Sequence, residues 1–168
     1  MKNFSLYLLV LLPLLLITSC KEQQEIKNRE TVLDQYVAVW NGDSLYKLDK
    51  IADQDFRLRM VPDFELQQGI DNLKKEITRT RTYFPDFLIK ETERYSAGDS
   101  TMVVCWTASG TFKNRTNMSG ETGIVNVPGF SVIFFNDDKI SGEWIAYSDL
   151  TWYKQLGFTL VPPGKTEK

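Results

Sequence analysis

Apolar residues at Leu33, Val37 and Trp40, with Tyr36 beside them, recur at helical spacing and predict a first helix ending at Asn41-Gly42. Asp43 or Ser44 can cap a shorter second helix carrying Leu45, Leu48 and Ile51. Phe56 to Val61 then alternates, as a strand half exposed to a cavity or to water does. Leu66, Ile70, Leu73 and Ile77 predict a third helix with a basic far face, stopped by Phe84-Pro85-Asp86. From Phe87 onward the period changes to two. Phe87 and Ile89 open a strand that frays into charge by Glu93, and Ala97 to Ser100 turns the chain into a strand over Met102 to Phe112. After a polar loop from Asn114 to Gly123, Val125 to Phe135 reads as a strand bulged at Pro128-Gly129. The turn Asn136-Asp137-Asp138 leads into a last strand from Ile140 to Asp149, followed by a helical turn through Tyr153 and Leu156. A helical first half and a strand-rich second half predict an α+β fold. Three helices closing one face of a twisted, mostly antiparallel sheet form a half-open cone around an apolar pocket.

The N-terminus carries a different signal. Lys2 precedes an apolar run from Leu6 to Ile17, interrupted by Pro13 and followed by Thr18-Ser19-Cys20. A positive start, an apolar core and small exit residues are the parts of an export signal. The run is shorter than the ~20 residues of a spanning helix. Ile-Thr-Ser-Cys resembles a lipobox, so residues 1–19 are expected to be a lipoprotein signal peptide and Cys20 the acylated residue. Two or more acyl chains hold a protein stably at a membrane. Residues 20–28 then read as a polar tether, 29–163 as one domain and 164–168 as a loose tail. The expected location is the bacterial cell envelope, lipid-anchored, in a leaflet the sequence does not specify.

Composition narrows the chemistry. Removing residues before Cys20 takes away only Lys2, leaving 19 basic against 22 acidic residues and a net charge near −3. Without a basic block, nucleic acid is not an expected partner. Cys105 is then the one cysteine left, which excludes an intrachain disulfide. Flanked by Val103, Val104 and Trp106, it reads as a buried thiol acting as a small hydrophobe. The chain has no histidine, which excludes imidazole zinc sites, Ser-His-Asp triads and Cys-His pairs. No Asp-x-Asp-x-Asp loop and no phosphate-cradling glycine motif occurs, so neither a metal nor a cofactor is expected. Carboxylates, arginines, tyrosines and hydroxyls remain.

Several strings together resemble a known family. Val37-Ala38-Val39-Trp40-Asn41-Gly42-Asp43, followed by Leu45 and Leu48, is similar to the opening of SnoaL-like polyketide cyclase or ester cyclase domains. So are Phe84-Pro85-Asp86-Phe87 and the stretch from Trp106 to Gly110-Thr111. Phe130 to Phe134, Asp138-Lys139-Ile140, Glu143-Trp144, Asp149 and Gln155-Leu156-Gly157 resemble the family's closing hairpin. The resemblance spans Val32 to Pro163 and implies a nuclear-transport-factor-2-like cone with a deep pocket, often dimeric through its sheet. Such folds host cyclases, isomerases, hydrolases and binding domains, so fold alone does not assign activity. Two departures touch the pocket mouth. Arg57 and Arg59 stand near where members often carry a first-strand histidine, and the loop from Phe112 to Ser119 replaces a longer Gly- and Pro-rich one.

In the cyclases this chain resembles, an aspartate on the last strand is acid and base, and Asp149 looks like the matching residue. An apolar setting raises a carboxyl's pKa toward that use. A nearby Arg57 or Arg59 opposes the shift, with an attraction of about 4 kcal/mol at 4 Å and an effective dielectric near 20. The arginine then acts as an enolate stabiliser or anion clamp. Asp149 otherwise caps the turn at Leu150-Thr151. Glu143 shares strand parity with Asp149, so it either faces the pocket or sits solvated near the hairpin. Arg59 is otherwise exposed at the surface or part of a structural ion pair. Trp40, Trp106, Trp144 and Phe134 are core residues or pocket walls, and Tyr147 has the parity to donate a hydrogen bond to a ligand. Two functions follow. The favoured one is a tethered module binding a small, mostly apolar ligand without chemistry, given the absent histidine, the altered loop and the envelope location. The other is a cyclase- or isomerase-like enzyme acting through Asp149 on a carbonyl compound.

Overall fold

The structure, a computed structural model, describes residues 23–61, 66–113, 123–159 and 161. The export signal, Cys20, most of the 114–123 loop and the 164–168 tail lie outside the described residues. Helix α1 covers residues 23–40. Its buried side chains Leu33, Tyr36, Val39 and Trp40 sit three or four apart, forming one stripe against the sheet. Residues 23–28, assigned to the tether by their polar pattern, are the first turns of this helix. Gln, Glu and Lys are good helix formers without an apolar face, and here they extend a helix whose packing begins further on. Gly42, at φ 116°, ends the helix in a backbone region that side chains disfavour.

Asn41 fixes the helix end to the sheet. Its amide donates to the Ile89 carbonyl at 2.9 Å and its oxygen accepts from the Ile89 N–H at 2.6 Å. Asn41→Ala strips both partners from Ile89. The expected loss is roughly 1 kcal/mol, read as a lower urea midpoint at an unchanged slope.

A 3₁₀ turn, Leu45–Lys47, runs directly into α2, Leu48–Ile51, and then into β1, Ala52–Val61. The periodicity extends the third helix back to Leu66, but Leu66–Gln68 is strand β2, antiparallel to β1. Helix α3 begins at Ile70 and ends at Tyr83. Gly69, at φ 94°, reverses the chain between them, so Leu66 keeps its spacing while its backbone hydrogen-bonds sideways.

The rest of the sheet comprises β3 (Leu88–Ser96), β4 (Thr101–Thr111), β5 (Ile124–Asn136) and β6 (Lys139–Tyr147). Its order is β2-β1-β6-β5-β4-β3, antiparallel except where β1 runs parallel to β6. Strand β3 does not fray at Glu93 but continues to Ser96, with its irregularity between Glu91 and Glu93. As an edge strand it carries charge toward water. No bulge occurs at Pro128-Gly129, where pairing with β4 is unbroken. Pairing with β6 begins only at Gly129, so Pro128 breaks no ladder on that side. The irregularity instead lies between Phe134 and Phe135.

Helix α4, Asp149–Gln155, follows Ser148, whose Oγ accepts from the Thr151 N–H at 3.3 Å. The last strand therefore stops at Tyr147, and Asp149 lies in the first turn of a helix. The main core cluster lies between helices and sheet, with Phe56 and Leu58 of β1 and Met102, Val104 and Trp106 of β4 facing inward, and a smaller one joins Phe84, Val125 and Leu156. Cys105 points the other way and is half-buried. Among the described residues, four α-helices on a six-stranded sheet make this the expected α+β fold, with the final helical turn grown into a fourth α-helix.

Candidate functional site

A cavity of about 460 Å³ opens between α1, α3, α4 and the inner face of the sheet. Its walls are rich in aromatic side chains. Trp40 comes from α1, Tyr83 from α3, Phe84 and Phe87 from the connection to β3, Trp106 from β4, Tyr147 from β6, and Trp152 and Tyr153 from α4. Glu143 also lines it, although only 4% of the residue is exposed. Inward parity with Ile145 puts it there, while Trp144 between them faces out; Ile140 joins the buried side across the register shift that precedes Gly142.

Two arms of hydrogen bonds converge on this carboxyl. In one, the Trp40 indole bonds the Tyr36 hydroxyl, which donates to Glu143 Oε2 at 2.6 Å. In the other, Trp106 Nε1 donates to Ser131 Oγ at 2.9 Å, and Ser131 bonds Glu143. An indole N–H only donates. Each hydroxyl therefore accepts from its tryptophan and turns its own proton toward the carboxyl. Burial pushes the Glu143 carboxyl above the ordinary carboxylate range, and the Ser131 and Tyr36 hydrogen bonds oppose that shift. The Tyr36 hydroxyl is raised well above its usual value, by burial first and then by Glu143.

Nearer α3 sits a second carboxyl. Glu76, 7% exposed, accepts from Arg79 one turn along the helix at 2.8 Å. Tyr147 lies close enough to feel Glu76 and Asp149, and burial with those charges pushes its hydroxyl up to about 12.

The sequence candidates divide between the two faces of the sheet. Trp40, Trp106, Glu143 and Tyr147 meet in the cavity. Glu143 thus takes the pocket-facing alternative, not the solvated one. Asp149 does not line the cavity. It is partly buried in the first turn of α4, hydrogen-bonded to Tyr147, while Ser148 supplies the cap. Arg57, Arg59, Phe134 and Trp144 line an open groove on the outer face. There the Arg59 guanidinium lies 5.4 Å from the Trp144 ring centroid, and Phe134 meets Trp144 edge-on at 5.3 Å. The alternation of β1 puts Phe56 and Leu58 inside and both arginines outside. The expected contest of an arginine with burial at Asp149 therefore does not arise.

Tyr36, Ser131, Glu76 and Arg79 were not singled out from the sequence. Tyr36 and Ser131 had a legible signal. Each is a hydroxyl at a core-facing position among apolar residues, and a buried hydroxyl needs a partner. Glu76 and Arg79 had none, because α3 carries many charges.

Residues 30–156 match the family described as SnoaL-like polyketide cyclase. No curated protein matches the chain in sequence. Among solved structures, a protein described as a polyketide cyclase from Acidithiobacillus ferrooxidans is 20% identical, with 77% of this chain and 94% of that one covered at a TM-score of 0.67. One described as a SnoaL-like polyketide cyclase from Jannaschia sp. CCS1 is 16% identical, covering 83% and 95% at a TM-score of 0.68. A protein with a ketosteroid isomerase-like fold from Catenulispora acidiphila, solved with trimethylamine, is 16% identical, covering 78% and 97% at a TM-score of 0.65. At these identities the likeness is one of fold, and it agrees with the family match over most of the described domain. This chain belongs to the SnoaL-like polyketide cyclase family.

Proposed function

We propose that the domain binds a small, mostly apolar molecule in the aromatic cavity, with one polar group of that molecule meeting Glu143. The observation that carries this reading is a buried carboxyl lining a cavity whose other walls are largely aromatic. Ligand cavities run from about 300 to 1,000 Å³ and join apolar walls to a few converging polar groups. This one has the size and the composition.

A second reading, the cyclase or isomerase, is favoured by one observation: burial raises the Glu143 carboxyl inside the cavity. A carboxylate shifted that way can remove a proton next to a carbonyl and return it to oxygen. Asp149, the residue matched by resemblance, reaches the cavity only through Tyr147. Mass spectrometry of small molecules carried by the purified protein tests both readings. A ligand retained unchanged by native protein and lost from Glu143→Gln supports binding. A carbonyl ligand converted by native protein, but not by Glu143→Gln or Asp149→Asn, supports the enzyme. Recovery of no ligand from any preparation, with no uptake of apolar dyes, removes both.

The location belongs to the same proposal. Acylation at Cys20 holds the domain at a bacterial membrane, supported by the apolar run from Leu6 to Ile17 and the lipobox-like Ile-Thr-Ser-Cys. Among the described residues no helix is long and apolar enough to cross one. Cys20→Ser is expected to move the protein from the membrane to the soluble fraction. Dimerisation through the outer sheet face is supported by the exposed Phe130 and Trp144. Light scattering of native protein and Trp144→Glu tests it.

A further inference from the structure

The charge layout of the cavity bears on which apolar molecules it takes, and this inference rests on the binding reading above. Two carboxyls, Glu76 and Glu143, line the cavity against one cation, Arg79. Arg79 is spent at the rim: its side chain is 61% exposed and bonded to Glu76. Among the described residues no lysine or arginine contributes to the setting of Glu143, whose surroundings are burial and two hydroxyls.

The direction of the two arms matters as much as the charge. Both tryptophans donate to hydroxyls, and both hydroxyls donate to Glu143. The carboxyl thus reaches the cavity as an acceptor with lone pairs left over. While that carboxyl is ionised, a ligand carbonyl would meet acceptor with acceptor. A cation meets a carboxylate and aromatic walls, and the π face of an aromatic ring attracts positive charge. Apolar substituents on that cation meet the same rings without loss of hydrogen bonds.

We propose that the cavity takes an organic cation, a small alkylated amine or quaternary ammonium, with its nitrogen at the Glu143 end beside Trp40 and Trp106. The cation supplies the positive partner that the fold withholds from Glu143. Because binding favours the ionised carboxyl, it opposes the effect of burial there.

The test compares choline with 3,3-dimethylbutan-1-ol, which has the same shape with carbon in place of charged nitrogen. Both are titrated calorimetrically into the full-length protein held in nanodiscs, with Nile red as a neutral apolar reporter of the cavity. Choline is expected to bind about tenfold tighter than the alcohol. Glu143→Gln is expected to remove most of that difference. Equal or tighter binding of the alcohol overturns the cation inference and leaves the binding reading standing. Nile red uptake with neither probe bound does the same. Failure of all three to bind overturns the binding reading itself. The native-protein comparison decides the inference even where Glu143→Gln does not fold.

Discussion

Gly129→Ala is expected to destabilise the domain by about 1–3 kcal/mol and to spoil the cavity. Gly129 pairs directly with Trp106 across β5 and β4. A Cβ at this position would lie 2.4 Å and 2.6 Å from two ring carbons of Trp106 and 2.8 Å from the Ala146 carbonyl oxygen. The oxygen belongs to β6, and moving it opens the β5–β6 ladder. The ring is held by its hydrogen bond to Ser131. Relief therefore comes only by breaking that arm of the network and turning the indole elsewhere, and the space beside it is the cavity. Urea unfolding measures the first effect and Nile red uptake the second. A variant within 0.5 kcal/mol of native stability (the usual spread for surface changes), with undiminished uptake, would show that the glycine is not required by the ring.

Tyr36→Phe is expected to cost about 1.5–3 kcal/mol while Glu143 is ionised, and about half that once it is protonated. The sign follows from the direction of the Glu143 shift. Burial raises its carboxyl in the folded state above its unfolded value. Below the unfolded value both states are protonated, and the carboxyl adds no pH dependence. As pH rises through the folded value, the unfolded chain ionises more readily and stability falls. The Tyr36 hydroxyl opposes the upward shift, so removing it raises the folded value further and deepens the loss. The gap between native and Tyr36→Phe protein thus widens from acid to neutral pH. Glu143→Gln abolishes that widening. Asp43, lowered by Lys47, and Asp86, lowered by Thr111, impose the opposite slope. They are common to both proteins and cancel in the difference. Urea midpoints across this range measure it, and a constant gap would mean that Tyr36 and Glu143 are not coupled.

The legible part of the fold lies where one residue's neighbours already carry the signal. Leu33, Tyr36 and Trp40 gave α1, and Asn41-Gly42 its end, because three or four residues of spacing put side chains on one helix face. The errors share a cause. Leu66 falls four residues before Ile70, yet its backbone pairs with Arg59. Pro128 looks like an interruption, yet β6 does not reach it. Glu93 looks like the end of a strand, yet β3 is an edge. In each case the pattern records local spacing, and pairing with a distant strand decides the outcome.

The site shows the same division more sharply. From the sequence alone come the α+β order of elements, the family resemblance, the lack of histidine chemistry and the short candidate set of carboxyls, because these depend on residue identity and local period. Phe56-Arg57-Leu58-Arg59 even separated the arginines from the apolar face; only assembly shows that the helices and the cavity lie on the apolar side. Only the tertiary structure decides that Glu143, not Asp149, stands in the cavity wall. Its partner Tyr36 is 107 residues away, and Ser148 takes over the cap beside Asp149. Desolvation and hydrogen bonding act through space, so which carboxyl loses its water is set by how the chain closes on itself.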